Sequence, residues 1–176
     1  TNGDQNNDFT DSSTNNLTIT ANGEATQGTF SPFLGDGYYS HYSDGDDALT
    51  VAASSEHTLD GDFTVEFFIY PIEAFGHHIY LSANNVSGGD LQIGYKTSDR
   101  FLHVWLGSKK LGASSADSLI RNQWNHVVFC RSSGTIALLS NGDRLDTASD
   151  SGTFNFSGLN IGRYTGTEYD QEQYMS

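Results

Sequence analysis

WNHVVFCRSSGTIALLSNGDRL, residues 124–145, is the stretch that decides the fold of this chain. Its two apolar runs, His126–Arg131 and Thr135–Leu139, are separated by a short polar break, and a third run follows Asn141-Gly142. An Asn-Gly pair tolerates positive φ at both central residues, so it closes a tight turn between antiparallel strands. The stretch therefore predicts a meander of three antiparallel strands, with Trp124 plugging the end of the sheet.

Short apolar segments with turn residues between them recur along the rest of the chain, and no window keeps a helical period for more than two turns. This spacing predicts a single all-β sandwich or barrel domain over residues 17–176, preceded by a polar arm or loop at 1–16. The strand candidates are Leu17–Thr20, Tyr38–Tyr42, Ala48–Ala52, Phe63–Tyr70, His78–Leu81, Leu91–Thr97, Phe101–Leu106, Trp124–Arg131, Thr135–Leu139, Arg144–Thr147 and Leu159–Arg163.

Side-chain alternation assigns two faces to the segments 63–70 and 101–106. The aliphatic faces should pack in a shared core and comprise Val65, Phe67, Ile69, Leu102, Val104 and Leu106. The opposite faces are aromatic with polar residues between, and the candidate ligand contacts there are Trp105, His103, Phe68, Tyr70 and Glu66. Such a face is either an open ligand platform or a curved sheet covered by a loop or a neighbouring strand.

Composition excludes several classes of partner. The chain has 8 Lys and Arg against 22 Asp and Glu, a formal net charge of −14. That charge repels phosphate backbones and anionic membranes, so binding to nucleic acid or to a membrane surface is not expected. No apolar run approaches the ~20 residues that cross a bilayer. Cys130 is the only cysteine, which excludes an internal disulfide.

Three segments resemble the laminin-G-like jelly-roll branch of the concanavalin-A-like lectin/glucanase superfamily. They are YSDGDDALTVAAS at 42–54, LDGDFTVEFFIYP at 59–71, and NQWNHVVFCRSSGTIALLSNGDRL at 122–145, which LNIGRY follows at 159–164. The resemblance implies an all-β, two-sheet antiparallel jelly-roll sandwich. It leaves function open, because this fold hosts lectins, adhesion modules, glycanases and structural domains.

The segment 8–33 is similar to the lead-in of laminin-G-like domains in phage tail and other virion proteins. The leading hypothesis is a non-catalytic module, extracellular or on a virion appendage, that contacts cell-surface glycan and neighbouring virion subunits. The alternative is a structural or decoration domain without a ligand. An endoglycanase comes third: its acid and nucleophile must face each other, and Asp62 with Glu66 is the nearest pair. No enzyme activity is expected.

The acidic loop at 43–47 is the best metal candidate. Asp44, Asp46 and Asp47 supply the hard oxygen ligands that Ca²⁺ prefers, and related jelly rolls often hold a structural calcium ion. The alternative is that Asp44 caps a turn, as Asp before Gly commonly does.

The resemblance also implies one strand before Thr1 and another after Ser176. Neither 1–16 nor 165–176 contains enough apolar residues to replace a core strand. We therefore expect the chain to belong to a longer polypeptide or to an assembly that completes its sheets.

Overall fold

The computed structural model describes residues 6–35, 37–43, 47–72, 77–83, 91–96, 101–113, 118–163 and 173–175. These residues contain no α-helix and one 3₁₀ turn at Ser55–His57, and none of their segments is a helix long and apolar enough to cross a membrane. The strands are β1 Ile19–Asn22, β2 Thr26–Gly28, β3 Ser40–Ser43, β4 Ala48–Ala52, β5 Thr58–Leu59, β6 Phe63–Pro71, β7 His77–Ala83, β8 Leu91–Lys96, β9 Phe101–Leu106, β10 Lys109–Gly112, β11 Asn125–Ser132, β12 Thr135–Ser140, β13 Asp143–Ser149, β14 Phe154–Asn155, β15 Gly158–Ile161 and β16 Gln173–Met175.

The strands form two seven-stranded sheets and one two-stranded sheet of β14 and β5. We name the sheet with the order β13-β12-β11-β6-β16-β3-β2 the front sheet, and that with the order β1-β4-β15-β7-β8-β9-β10 the back sheet. Every strand pair is antiparallel. The predicted two-sheet antiparallel sandwich is confirmed.

The meander predicted from residues 124–145 is present in the front sheet as β11, β12 and β13. Asn141 and Gly142 have φ of 52° and 88°, so both turn residues adopt the positive φ for which an Asn-Gly pair is suited. The Asn141 side chain also accepts the backbone N–H of His126 at 2.9 Å and so ties the turn to the start of β11.

The core lies between the sheets and contains the predicted aliphatic residues. Ile69, Leu102, Val104 and Leu106 are buried, while Val65 and Phe67 are partly buried and pack against them. The outward residues of β6 and β9 therefore face away from the core, on the two outer sides of the sandwich.

The expectation for the segment 165–176 is wrong in one respect. Its residues 173–175 form β16, which pairs with β3 on one side and with β6 on the other. Met175 is buried in the core. A single apolar side chain suffices here because backbone hydrogen bonds on both sides hold so short a strand in place.

A buried charge cluster closes the sandwich near Phe63. The Arg131 guanidinium donates to the carbonyl oxygens of Gly61 and Gly152, and it lies over the rings of Phe63 and Phe154 at 5.0 and 5.6 Å. Asp150 lies 3.8 Å from this guanidinium. The cluster links β11 to the loops beside β6 and β14.

Candidate functional site

The five candidate ligand contacts divide between the two sheets. Glu66, Phe68 and Tyr70 lie on the outer side of β6 in the front sheet, whereas His103 and Trp105 lie on the outer side of β9 in the back sheet. The sheets stack core to core, so these two outer sides point in opposite directions. The expectation of one platform carrying all five residues is therefore wrong, because alternation assigns a side of a strand but not the sheet that holds it.

Aromatic side chains from the loop between β2 and β3 lie on the outer side of the front sheet. The Phe33 ring contacts Phe68 edge-on at 5.0 Å between centroids. Phe30 contacts Tyr70 at 4.8 Å and Trp124 at 5.3 Å. Trp124 therefore packs on the outer side of the sheet, at the start of β11, beneath a loop ring.

The upper layer of this cluster remains open to solvent. Phe30, Phe33 and Tyr38 are 44%, 42% and 50% exposed. Tyr38 lies beside Phe33 with 5.3 Å between centroids. We name the set Phe30, Phe33, Tyr38, Phe68, Tyr70 and Trp124 the aromatic face. The sequence left two readings of this face, an open ligand platform or a sheet covered by a loop. Each holds in part, because a loop covers Phe68 and Tyr70 and itself exposes aromatic rings to solvent.

Local hydrogen bonds and two glycines shape the loop that carries these rings. Ser40 donates its hydroxyl to the carbonyl of Phe30, and Ser31 accepts the N–H of Phe33 at 3.2 Å. Gly35 and Gly37 have φ of 119° and 92°, a region that residues with a Cβ rarely adopt. The chain can therefore reverse between Phe33 and Tyr38 and place both rings side by side.

A polar pair borders the aromatic face. The His126 ring stacks on Phe68 at 4.6 Å with 14° between the planes, and its Nε2 lies 3.0 Å from Glu66 Oε2. The Glu66 side chain is 59% exposed. Rings with polar groups at the border form a surface that suits an amphipathic ligand.

Sequence reasoning missed Phe30, Phe33, Tyr38 and His126 as site residues. The signal was the sequence FSPFLGDGYY at 30–39, where four aromatic residues surround two glycines; Tyr38 and Tyr39 fall in a predicted strand, which begins only at Ser40. Several exposed rings clustered on one loop mark a candidate interaction surface, because contiguous exposed apolar patches are uncommon and loops often carry function.

The outer side of the back sheet is closed by comparison. His103 is only 2% exposed, so the expectation that it contacts a ligand is wrong for this conformation. Its ring packs over Gly112 of the neighbouring β10, where an added Cβ would lie 2.5 Å from His103 Nδ1. Trp105 is half-buried beside His103, with Lys110 Nζ 5.6 Å from its ring centroid.

The two carboxylates considered for glycanase chemistry have separate partners. Asp62 lies before β6 and accepts the N–H of Ser133 at 2.8 Å, which is a turn contact. Glu66 faces His126 instead. Asp62 therefore stabilises a turn, and Glu66 lies at the border of the aromatic face.

The metal candidates are described only in part. Asp44 and Asp46 lie outside the described residues. Asp47 is 3% exposed and accepts the N–H of Glu24 at 2.6 Å through Oδ1. It borders a cavity of about 570 Å³ whose other walls include Asn6 and Asn7. These oxygens are of the kind that Ca²⁺ prefers, but no group of three His, Cys, Asp or Glu comes together among the residues that the structure describes.

Comparison with known families and structures agrees with this architecture. A laminin G-type family model, described as the concanavalin A-like lectin/glucanases superfamily, matches residues 43–175, which is 133 of the 176 residues. No curated protein matches the chain.

Three similar solved structures illustrate the range of proteins with this fold. Domain 4 of AbnA, an extracellular arabinanase from Geobacillus stearothermophilus solved with arabinotriose, is 14% identical with a TM-score of 0.64, over 91% of this chain and 81% of that one. The binding domain of botulinum neurotoxin DC in complex with SialylT is 18% identical with a TM-score of 0.64, over 94% of this chain and 44% of that one. Botulinum neurotoxin type C, whose cell entry is described as dependent on interaction with two ganglioside molecules, is 17% identical with a TM-score of 0.61, over 94% of this chain and 44% of that one.

These identities show a shared fold alone. The chain spans less than half of the two toxin chains.

Proposed function

The chain belongs to the concanavalin A-like lectin/glucanases superfamily, and on that premise we propose that it is a non-catalytic carbohydrate-recognition module whose ligand surface is the aromatic face. The observation that carries the proposal is the exposure of Phe30, Phe33 and Tyr38 above a packed layer of Phe68, Tyr70 and Trp124. The lower layer fixes the upper rings, so little conformational entropy is lost when a ligand binds.

Aromatic rings fit the chemistry of sugars. The C–H faces of a sugar ring are apolar and pack on aromatic rings, while its hydroxyl groups need hydrogen-bonding partners. On the aromatic face, Glu66 would accept such hydroxyl groups at the border. The net charge of −14 disfavours strongly anionic chains, so we propose a neutral glycan as the ligand class.

Two similar structures support glycan binding in kind, and the first, with a neutral oligosaccharide, also supports the neutral ligand class. One is described with arabinotriose, and another as dependent on ganglioside molecules. By extension we place this module outside the cell, in contact with cell-surface glycan. The finer proposal of a virion appendage, such as a phage tail fibre with neighbouring virion subunits, rests on the lead-in at 8–33. A decoration domain without a ligand is the alternative, and it predicts no glycan binding.

A glycan-array screen of the purified chain, followed by titration calorimetry on the glycans retained, tests the proposal. We expect Phe33→Ala combined with Tyr38→Ala to weaken binding by more than about tenfold, a loss of ~1.4 kcal/mol, with the melting temperature nearly unchanged. Leu34→Ala is the matched control, because Leu34 lies on the same loop and is 97% exposed but has no ring. An array without retained glycans, or equal losses in both variants, would contradict stacking on the aromatic face.

We also propose that a Ca²⁺ ion stabilises the loop at 43–47, with Asp47 as one ligand beside Asp44 and Asp46. Its buried carboxylate and the polar cavity beside it support the proposal. A ligand that binds only the native state raises apparent stability by about 2.7 kcal/mol at a hundredfold excess over its dissociation constant. The melting temperature should therefore fall in EDTA and recover with Ca²⁺ but not with Mg²⁺. An unchanged melting temperature would leave Asp47 as a structural residue held by the N–H of Glu24.

A further inference from the structure

Two exposed rings of the aromatic face follow the direction of strand β6. Tyr70 and Phe68 are alternate residues of this strand, so their backbones are about 7 Å apart, and each contacts a ring of the loop above it. Phe30 lies 4.8 Å from Tyr70 and Phe33 lies 5.0 Å from Phe68, between ring centroids. The two loop rings therefore occupy successive positions along the strand rather than one compact site.

The carboxylate of Glu66 continues this line. Glu66 is the next residue on the outer side of β6, about 7 Å beyond Phe68. Its side chain is 59% exposed, and its Oε2 lies 3.0 Å from Nε2 of His126. The ring of His126 stacks on Phe68, and its backbone N–H donates to Asn141, so the histidine holds the carboxylate in place. The other carboxylate oxygen, Oε1, has no hydrogen-bond partner among the described residues and can accept from a ligand.

We name the line of Phe30, Phe33 and Glu66 the strip. The strip stays open at the Glu66 end, because Thr64, the next outward residue of β6, is exposed. Val128, which lies opposite Glu66 on the neighbouring strand, is half-buried. A ligand that passes over Glu66 can therefore continue beyond the strip in the direction of Thr64.

The three positions of the strip match a ligand with repeating units. A single sugar ring contacts one position, whereas the successive residues of a chain can place an apolar C–H face on each aromatic ring and a hydroxyl group at Glu66. Resting on the proposed function, we propose that the ligand is a linear neutral oligosaccharide of at least about three residues, which lies along β6 and is bound by its internal residues. Because the strip is open at Thr64, longer chains bind as well as the shortest chain that fills it.

The length of the ligand is tested by calorimetric titration of the complete chain. The probes are neutral oligosaccharides of glucose, xylose, mannose and arabinose, each in lengths of one to six residues. In the series that binds, affinity should rise by at least about tenfold from the monosaccharide to the trisaccharide and stay nearly constant up to the hexasaccharide. Equal affinity for the monosaccharide and the trisaccharide would indicate a pocket for one residue, and would overturn this inference while leaving the proposed function intact. No binding at any length, together with an array that retains no glycan, would contradict both.

Variants at the two ends of the strip test whether one ligand spans it. Phe30→Ala and Glu66→Ala should each weaken the trisaccharide by at least about fivefold, and the double variant should show the product of the two losses, because the sites are too far apart to couple directly. Glu56→Ala is the matched control, since Glu56 is an exposed carboxylate on the 3₁₀ turn, outside the strip. Phe30→Leu replaces Phe30→Ala if the melting temperature of the latter falls. A loss at only one end, in folded variants, would show that the ligand does not span the strip.

Discussion

The two outer sides of the sandwich carry similar residues but differ in accessibility. On the front sheet, a loop adds a second layer of rings, and Phe33 and Tyr38 remain 42% and 50% exposed. On the back sheet, His103 is 2% exposed over Gly112, and Trp105 is half-buried beside it. The difference teaches that aromatic residues on a strand face do not define a binding surface. Whether a face can bind a ligand depends on the residues that cover it and on the side chains that those residues expose to solvent.

The largest expected effect comes from Arg131. Because this residue lies on neither outer side of the sandwich, its substitution should lower stability without removing a binding surface. Its side chain is 2% exposed and is held by backbone carbonyl groups and by Asp150. Arg131→Ala leaves the carbonyl oxygens of Gly61 and Gly152 without their donor and takes away one of the two cations beside Asp150, the other being Lys109. A buried acceptor left unpaired costs about 1–3 kcal/mol, so we expect a loss of several kcal/mol in the free energy of unfolding. Chemical denaturation should show this loss. A cost below about 1 kcal/mol would mean that the cluster does not hold the end of the sandwich closed.

A smaller effect tests whether the back sheet is closed. Gly112→Ala places a Cβ 2.5 Å from His103 Nδ1, and overpacking of this kind costs about 1–3 kcal/mol. Gly28→Ala is the matched control, since Gly28 also lies in a strand and nothing lies within 4 Å of its added Cβ. Glycan binding should survive in both variants. A neutral Gly112→Ala would show that His103 moves freely and that the back sheet can open.

The smallest expected effect is a loss of folding stability at acid pH, which should not distinguish the two outer sides. Burial favours a raised pKa for Asp150, but the Lys109 hydrogen bond, the Gly152 N–H and the charges of Lys109 and Arg131 hold it below its usual value. A lowered carboxyl pKa contributes stability above the unfolded-state value of about 4, and that contribution is lost as pH falls through the folded-state pKa. Asp150→Asn should flatten this part of the curve of unfolding free energy against pH. An identical curve in the variant would assign the acid loss to other carboxylates.

Much of the fold could be predicted from local signals. The meander at 124–145 and the core residues of β6 and β9 follow from turn chemistry and alternation. Strand β16 could not be predicted, because only Met175 of its three residues is apolar and its place depends on pairing with β3 and β6.

The site was predictable only in part for a related reason. Alternation placed Phe68 and Tyr70 on an outer side correctly, but the sequence does not show which strands share a sheet. It also does not show where an irregular loop packs. The rings of Phe30 and Phe33 reach the front sheet through loop geometry that depends on Gly35, Gly37 and the Ser40 hydroxyl.

Tryptophan fluorescence tests most directly the claim that the aromatic face, rather than the back sheet, binds glycan. The chain has two tryptophans, and each reports on one side: Trp124 lies in the aromatic face and Trp105 on the back sheet. Saturation of Trp105→Phe with a glycan from the array should shift or quench its emission, because Trp124 remains. The same glycan should leave the emission of Trp124→Phe unchanged. A change confined to the variant that retains Trp105 would place the ligand on the back sheet and contradict the account.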